Sequence, residues 1–178
     1  VTIPIGSKKD DSPMIFIVFG LLLAIFMGVL VNSGRKFRDD ASRALLRPYN
    51  FFSDVRDQRI ISAAHTTLLG LIIAAVIALI ASNILFFLKS NLVYEHLMIS
   101  FASPLLIKIA NYLSWNPFMS LLWLAVFNIV LFVIIALLIK IASLFAKTRV
   151  FIVSVYFTFI WALLPVVLLI PVGIILYR

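Results

Sequence analysis

Few side chains in this 178-residue sequence are of the types that do acid–base, nucleophilic or metal chemistry. Cysteine is absent, which excludes disulfides, thiolate metal sites and thiol nucleophiles together. The two histidines, His65 and His96, are separated by a stretch predicted to be mostly one helix, which would hold them roughly 45 Å apart. The sequence contains no HExxH, no Gly-rich phosphate loop and no GxSxG motif. We therefore predict no enzymatic activity, no metal site and no cofactor.

The acidic residues lie outside the long apolar stretches. Six of the seven acids fall within the first 57 residues, and Glu95 is the remaining one. Ion- or proton-coupled transporters usually carry an ionisable group inside a membrane span, where it marks the path. The positions of the acids therefore weigh against coupled transport.

Three uncharged polar residues lie within the apolar stretches. Ser82 and Asn83 are near the far end of the second stretch, and Asn128 is near the middle of the third. Such side chains bond neighbouring helices, typically for about 1 kcal/mol or less. We predict interhelical hydrogen bonds for all three residues and no contact with a ligand.

Two prolines interrupt the last apolar stretch. Pro165 and Pro171 deprive the carbonyls of Trp161 and Val167 of their usual helical donors. This predicts a kinked helix, and such a kink most often serves to fit a helix into its bundle.

The composition places the chain in a membrane. Hydrophobic residues make up 64% of the chain and charged residues 12%, whereas soluble domains are about half apolar and about a quarter charged. Stretches long enough to cross about 30 Å of hydrocarbon cover residues 14–31, 62–88, 118–139 and 150–177. The sequence therefore predicts an all-α, polytopic transmembrane helical bundle of four spans.

The stretch at residues 97–113 is ambiguous, because its run of about 17 residues contains Pro104 and Lys108. It could be a fifth span, or a re-entrant or interfacial helix. Basic segments stay on the cytoplasmic side, and residues 33–61 and 140–149 share that side only if the stretch does not cross. We therefore favour four spans with the N-terminus outside, and five remain possible.

Residues 33–61 form the one long polar segment, with seven of the fifteen basic residues and four of the seven acids. Charge bias predicts that this segment is cytoplasmic. In a soluble protein the formal net charge of +8 would suggest a nucleic-acid partner, but most of the basic residues here lie beside apolar stretches. We predict anionic lipid headgroups as the partner, at about 1 kcal/mol per basic side chain, and no nucleic acid.

Within this segment, Pro48 is predicted to separate two short helical pieces. After it, Phe51, Phe52 and Val55 recur at helical spacing, opposite charged residues. This pattern is typical of a helix lying in the membrane interface with its apolar side down; a solvated linker is the alternative. The predicted membrane-interface residues are Arg47, Phe51, Phe52, Arg56 and Arg59.

The chain divides into four predicted segments. These are an outside-facing tail at residues 1–13, the first transmembrane helix at 14–32, the basic cytoplasmic segment at 33–61 and the remaining bundle at 62–178. The tail begins VTIPIGS, which is typical of the end of a β-rich segment. We therefore expect an extracytoplasmic domain upstream of it.

Two parts of the sequence carry a resemblance to a known family. One is RPYNFFSDVRD at residues 47–57, similar to a Pro-x-x-Phe entry segment. The other, at residues 118–173, is a span, the basic turn LFAKTRVF and an aromatic-rich span with a proline in its middle. This order resembles the bacterial-type members of the Yip-domain family of polytopic membrane proteins, whose eukaryotic members cycle between Golgi and endoplasmic reticulum and contact Rab GTPases. The span at residues 14–31 departs from the family, which usually has a soluble region there. The resemblance implies a helical bundle and assigns no catalytic or binding residue.

These observations predict a non-enzymatic integral membrane protein that scaffolds or organises a membrane assembly. We expect it in a bacterial inner membrane, with a membrane-protein partner or further copies of itself. A transporter or channel subunit is the alternative, and a multi-span anchor for an upstream domain is the second alternative. A wet cavity at mid-depth beside Asn128, Ser82 or Asn83 and the Pro165 break would indicate a transporter, whereas dry packing of these groups would indicate a scaffold.

Overall fold

The computed structural model describes residues 14–56, 62–89, 91–100, 103–145 and 151–176, without the side chains of residues 93, 95, 97 and 99. Within these ranges all regular structure is helical. The helices are α1 (Ile15–Asn32), α2 (Arg35–Leu46), α3 (Pro48–Arg56), α4 (Ala63–Leu88), α5 (Leu92–Ser100), α6 (Pro104–Trp115), α7 (Pro117–Phe145), α8 (Ile152–Ala162) and α9 (Ile170–Ile175). A 3₁₀ segment (Leu164–Leu169) joins α8 to α9. The predicted tail at residues 1–13 and the predicted interface residue Arg59 lie outside the described residues.

Four helical stretches of the described chain are long and apolar enough to cross a membrane. They are α1, α4, α7 and the continuous run Ile152–Ile175 that contains α8, the 3₁₀ segment and α9. This confirms the prediction of an all-α bundle with four spans, and the chain is an integral membrane protein. Large apolar side chains on the outer faces of α1 and α7 are exposed, as expected where lipid tails surround a bundle.

Helix α4 lies at the centre and packs against the other three spans. Its small residues recur every fourth position at Gly70, Ala74, Ala78 and Ser82, and the last three are completely buried. Small side chains let helix backbones approach closely in membranes. At Gly70, for example, an added Cβ would lie 3.1 Å from Ile160 Cδ1 of α8.

Helices α4 and α7 run antiparallel. The amide of Asn128, in the middle of α7, donates to the carbonyl of Ala74 in the middle of α4, at 3.2 Å. At one end, the ammonium of Lys89, just after α4, lies 4.6 Å from the ring centre of Trp115, two residues before α7. The end of α4 therefore meets the start of α7.

The ambiguous stretch at residues 97–113 is divided between α5 and α6. These helices have nine and twelve residues, whereas a transmembrane helix needs about 20, so neither crosses alone. Pro104 begins α6, a position where its missing N–H costs no hydrogen bond. The hydroxyls of Tyr94 and Ser114 lie 3.0 Å apart and join the two helices.

The last span is broken where the prolines predict. Helix α8 ends two residues before the 3₁₀ segment, which contains Pro165, and α9 resumes with Pro171 in its first turn. The carbonyl of Val167 accepts from the N–H of Ile170. The tighter 3₁₀ turn thereby replaces the donor that Pro171 removes.

Candidate functional site

The basic segment folds into two helices, α2 and α3, that pack on each other and on the last span. We call this unit the docked hairpin (Arg35–Leu46 and Pro48–Arg56). Arg47 interrupts the helical backbone and Pro48 opens α3, which agrees with the predicted division at the proline. An ion pair between Arg43 of α2 and Asp54 of α3 links the helices. Both side chains are partly exposed, so this pair adds little to stability.

An aromatic cluster holds the docked hairpin on the bundle. Trp161 of α8, only 2% exposed, lies between Phe37 of α2 and Phe51 of α3, with ring centres 5.6 and 5.1 Å away. Its indole N–H donates to Thr66 Oγ1 of α4 at 3.1 Å. Aromatic pairs at these distances contribute about 0.5–1.5 kcal/mol each beyond the apolar area they bury. The cluster thus joins two spans and both hairpin helices.

The structure corrects the membrane-facing position predicted for Phe51. Its ring is 1% exposed and packs inside the protein, as does Val55 on the same face of α3. Phe52 is half-buried and meets Phe51 edge-on at 5.4 Å. Helical spacing identifies the apolar face of a helix but not the surface that covers it. The solvated-linker alternative is also wrong, because the segment is helical and packed.

Charge is concentrated on the exposed side of the docked hairpin. Six basic residues lie there. The hairpin has only three acids, and one of them, Asp54, forms the ion pair with Arg43. The exposed basic residues are Arg35, Lys36, Arg38, Arg43, Arg47 and Arg56. The arginines predicted at 47 and 56 are therefore exposed, and their contact with the membrane stays a prediction.

One acid of the hairpin is half-buried beside the bundle. Burial raises the pKa of the Asp40 carboxyl above its ordinary value of 3.8, and the Asp39 carboxylate acts in the same direction. The cations of Lys36 and Arg43, and His65, act in the opposite direction. Desolvation dominates, so the fold favours the protonated form of this carboxyl.

The two histidines do not share a site. The ring of His65, in the first turn of α4, is tilted by 58° to that of Phe37, with the ring centres 5.8 Å apart. His96 is exposed on α5, beyond the other end of α4. The described residues also hold no group of three or more histidine, aspartate or glutamate side chains able to bind a metal ion.

The polar residues predicted to bond between helices are all buried, but they differ in their contacts. Asn83 donates to the carbonyl of Gly173 in α9 at 2.7 Å, and Asn128 donates to Ala74 as described above. The hydroxyl of Ser82 has no partner among the described residues, and neither has that of Ser120 at the start of α7. The two asparagines thus join α4 to α9 and to α7.

Sequence reasoning missed several residues of the site. The spacing of Gly70, Ala74, Ala78 and Ser82 is a small-residue signal for close helix packing and could have been found. The partnership of Trp161 with Thr66 and Phe37 carries no local signal, because these residues are remote in sequence. It is visible only in the folded chain.

Comparisons with known proteins do not assign a family. No protein-family model matches the chain, and no curated protein and no solved structure does so either. The resemblance to the Yip-domain family therefore stays a prediction.

Proposed function

We propose that this chain is a non-enzymatic scaffold that organises an assembly in a membrane. The observation that carries the proposal is the docking of the basic hairpin through Phe37, Phe51 and Trp161. This docking gives a charged, exposed surface a fixed shape and position, which suits recognition of a partner. We expect that partner to be a membrane protein or further copies of this chain.

The polar groups inside the bundle support a packing role. Asn83 and Asn128 are buried and donate to backbone carbonyls of neighbouring helices. A substrate path would need such groups to face an aqueous cavity. Pro165 is exposed, whereas both asparagines are buried.

The proposed orientation places the docked hairpin in the cytoplasm and the N-terminus outside. The concentration of basic residues at this end of the spans supports it, because cytoplasmic segments are enriched in Lys and Arg. A bacterial inner membrane is the location we propose, in line with the resemblance to bacterial-type Yip-domain proteins.

Site-specific photo-crosslinking in cells tests the scaffold proposal. A photo-reactive amino acid at Asp39 or Asn50, both exposed on the docked hairpin, should give discrete protein adducts. At Phe127, exposed on the lipid-facing side of α7, the same probe is the control and should give none of these adducts. Undocking the hairpin by Phe51→Ala should abolish the adducts while the protein still inserts. A scaffold role is contradicted if the hairpin positions give no adduct that depends on docking.

A transporter or channel subunit is the second candidate, and one observation favours it. The hydroxyls of Ser82 and Ser120 are buried without partners among the described residues, and unpaired hydroxyls are costly in a bilayer interior. Ion flux through vesicles reconstituted with the purified protein distinguishes the two functions. Flux that Ser82→Ala or Ser120→Ala reduces would replace the scaffold proposal.

A further inference from the structure

We infer that the docked hairpin rests on the surrounding leaflet through the face that it does not use for docking. Leu45, Leu46 and Tyr49 insert at the boundary between headgroups and acyl chains, and Arg35 and Arg38 bind phosphates of anionic lipids. The inference rests on the proposed cytoplasmic position of the hairpin, and it names the lipid class that this segment contacts.

Three large apolar or aromatic side chains are exposed around the connection between α2 and α3. Leu45 is 53% exposed, Leu46 80% and Tyr49 87%. Water-exposed side chains of this size are unfavourable when they cluster, whereas leucine and tyrosine are well suited to the membrane interface. Because the apolar faces around Phe37 and Phe51 are already covered by the bundle, this exposed cluster is the part of the hairpin left to contact lipid.

The exposed arginines share a side of α2 with the leucines. Arg35 and Arg38 are three residues apart, Leu45 follows Arg38 by seven residues (about two turns), and Leu46 follows Arg35 by eleven (about three turns). These four residues therefore lie on the side of α2 away from Phe37. All four are exposed. Phe37 is buried against Trp161 and His65, so its docking fixes the direction in which this side faces.

The first turn of α2 lies at the level where headgroups begin. Arg35 follows the end of α1, at Asn32, by three residues, so its backbone lies within about 10 Å of the end of that span. The ring of Phe37 also contacts that of His65, in the first turn of α4. The ends of two spans thus place this turn beside the lipid headgroups.

The charges favour a phosphate as the ligand of the two arginines. Arginine binds phosphate through two parallel N–H donors. Of the nearby acids, Asp54 pairs with Arg43, and Asp40 is half-buried towards His65. Asp39 is exposed and is the acid that competes most directly for the arginines. A lipid phosphate is favoured over a free phosphate or a nucleic acid because it sits beside the exposed leucines.

Depth-dependent quenching tests the insertion, and the absence of native cysteine makes the labelling specific. Cysteine introduced at Leu46 or Tyr49 is labelled with a polarity-sensitive fluorophore, in nanodiscs of phosphatidylcholine and phosphatidylglycerol. We expect blue-shifted emission and strong quenching by lipids brominated near the headgroup end of their acyl chains. The matched control is Lys36→Cys, at a residue exposed on a different side of α2. It should show neither the blue shift nor the quenching. A blue shift without quenching would mean that protein covers the cluster and would overturn the inference, as would unshifted emission.

Lipid binding to the purified protein, counted by native mass spectrometry, tests the phosphate contact. Arg35→Gln with Arg38→Gln should weaken phosphatidylglycerol binding by about fivefold for each arginine removed. Lys36→Gln with Lys108→Gln removes the same charge from other exposed positions and should weaken it less, because neither lysine lies on the side of α2 that carries the two arginines. Equal losses in the two variants, or no loss in either, would contradict a contact at these arginines.

Two further comparisons complete the tests: one distinguishes a lipid phosphate from other phosphates, and the other distinguishes the lipid contact from the proposed scaffold function. Inorganic phosphate or a short oligonucleotide at the concentration of the lipid should leave the binding unchanged, and displacement by either would overturn the assignment to lipid. Quenching at Leu46 does not depend on a protein partner. Crosslinking from Asn50 without quenching at Leu46 would therefore contradict only the lipid contact, and quenching without crosslinking would contradict only the scaffold function.

Discussion

At the scale of single residues, Trp161 links parts of the chain that are remote in sequence. It contacts Phe37 and Phe51 of the docked hairpin and donates to Thr66 of α4. The hydroxyl of Thr66 in turn donates to the carbonyl of Ser62, at 3.1 Å. The indole N–H is thus satisfied within the protein, as buried tryptophans require.

We predict that Trp161→Phe lowers stability by about 1–2 kcal/mol, because it removes the indole donor and part of the ring. For a protein of this size the unfolding midpoint should fall by about 2–4 °C per kcal/mol. Thermal unfolding in detergent measures the shift. Trp123→Phe is the matched control, since Trp123 is 57% exposed on α7. Equal shifts in the two variants would contradict the role given to the cluster.

Asp40 provides a prediction on pH. Burial raises its pKa in the folded protein. The free energy of unfolding should therefore fall as pH rises from about 3.8 through that raised pKa, and this contribution should stay constant at higher pH. Asp40→Asn should remove this loss and should therefore be more stable than the wild type at neutral pH but not at the acidic end. Unfolding midpoints across that range provide the measurement. The comparison variant is Asp39→Asn, at an exposed neighbour. It should keep most of the wild-type slope, because burial, and not the Asp39 carboxylate, is the main cause of the raised pKa of Asp40. A wild-type slope in Asp40→Asn would contradict the assignment.

At the scale of elements, two glycines of α1 lie in opposite environments. A Cβ at Gly20 would collide with Ile174 of α9, whereas a Cβ at Gly28 would meet nothing within 4 Å. Helix α1 therefore approaches the last span closely at one turn and faces outward at the other. This contact joins the first and last spans.

We predict that Gly20→Ala destabilises the bundle by about 1–3 kcal/mol, because the added methyl overpacks the contact with α9. Gly28→Ala should be neutral or slightly stabilising, since alanine is the better helix former. Thermal unfolding of the two single variants in the same detergent compares them directly. Loss of stability in Gly28→Ala, or none in Gly20→Ala, would show that α1 packs differently.

The 3₁₀ segment sets how α9 faces the bundle. Six residues at three per turn rotate about 120° further than six residues at 3.6 per turn. This rotation changes the side of α9 that faces α4. In the resulting arrangement the carbonyl of Gly173 accepts from Asn83, and a Cβ at Gly173 would lie 2.9 Å from Leu79 Cδ2. The proline-induced break therefore has a packing consequence.

At the scale of the whole molecule, the four spans separate two polar ends. The docked hairpin lies at the end where α1 finishes and α4 begins, and α5 and α6 lie at the end where α4 finishes and α7 begins. Exposed lysines mark both ends, at Lys36 on α2 and Lys108 on α6. The proposed orientation assigns the first end to the cytoplasm.

This orientation predicts a labelling pattern for cysteines introduced into the cysteine-free chain. A membrane-impermeant maleimide should label Lys108→Cys in intact cells and Lys36→Cys only after the membrane is permeabilised. Both side chains are exposed, so each variant is the accessibility control for the other. Labelling of residue 36 in intact cells would reverse the orientation.

The sequence alone located the four long apolar runs, because the thickness of a bilayer imposes a length on each run and that length can be counted locally. It left open whether residues 97–113 form a fifth span, and it placed the end of the third span at residue 139, whereas α7 continues to Phe145. The first span, expected at residues 14–31, is Ile15–Asn32 in the structure. Pro48 and Pro165 likewise mark breaks through their own backbone chemistry. Only the tertiary structure decided what covers each apolar face. The partner of Phe51 is Trp161, from another span, where local spacing had pointed to lipid. The helical periodicity of apolar residues indicates that one face of a helix is buried. Which surface covers that face depends on contacts between segments remote in sequence.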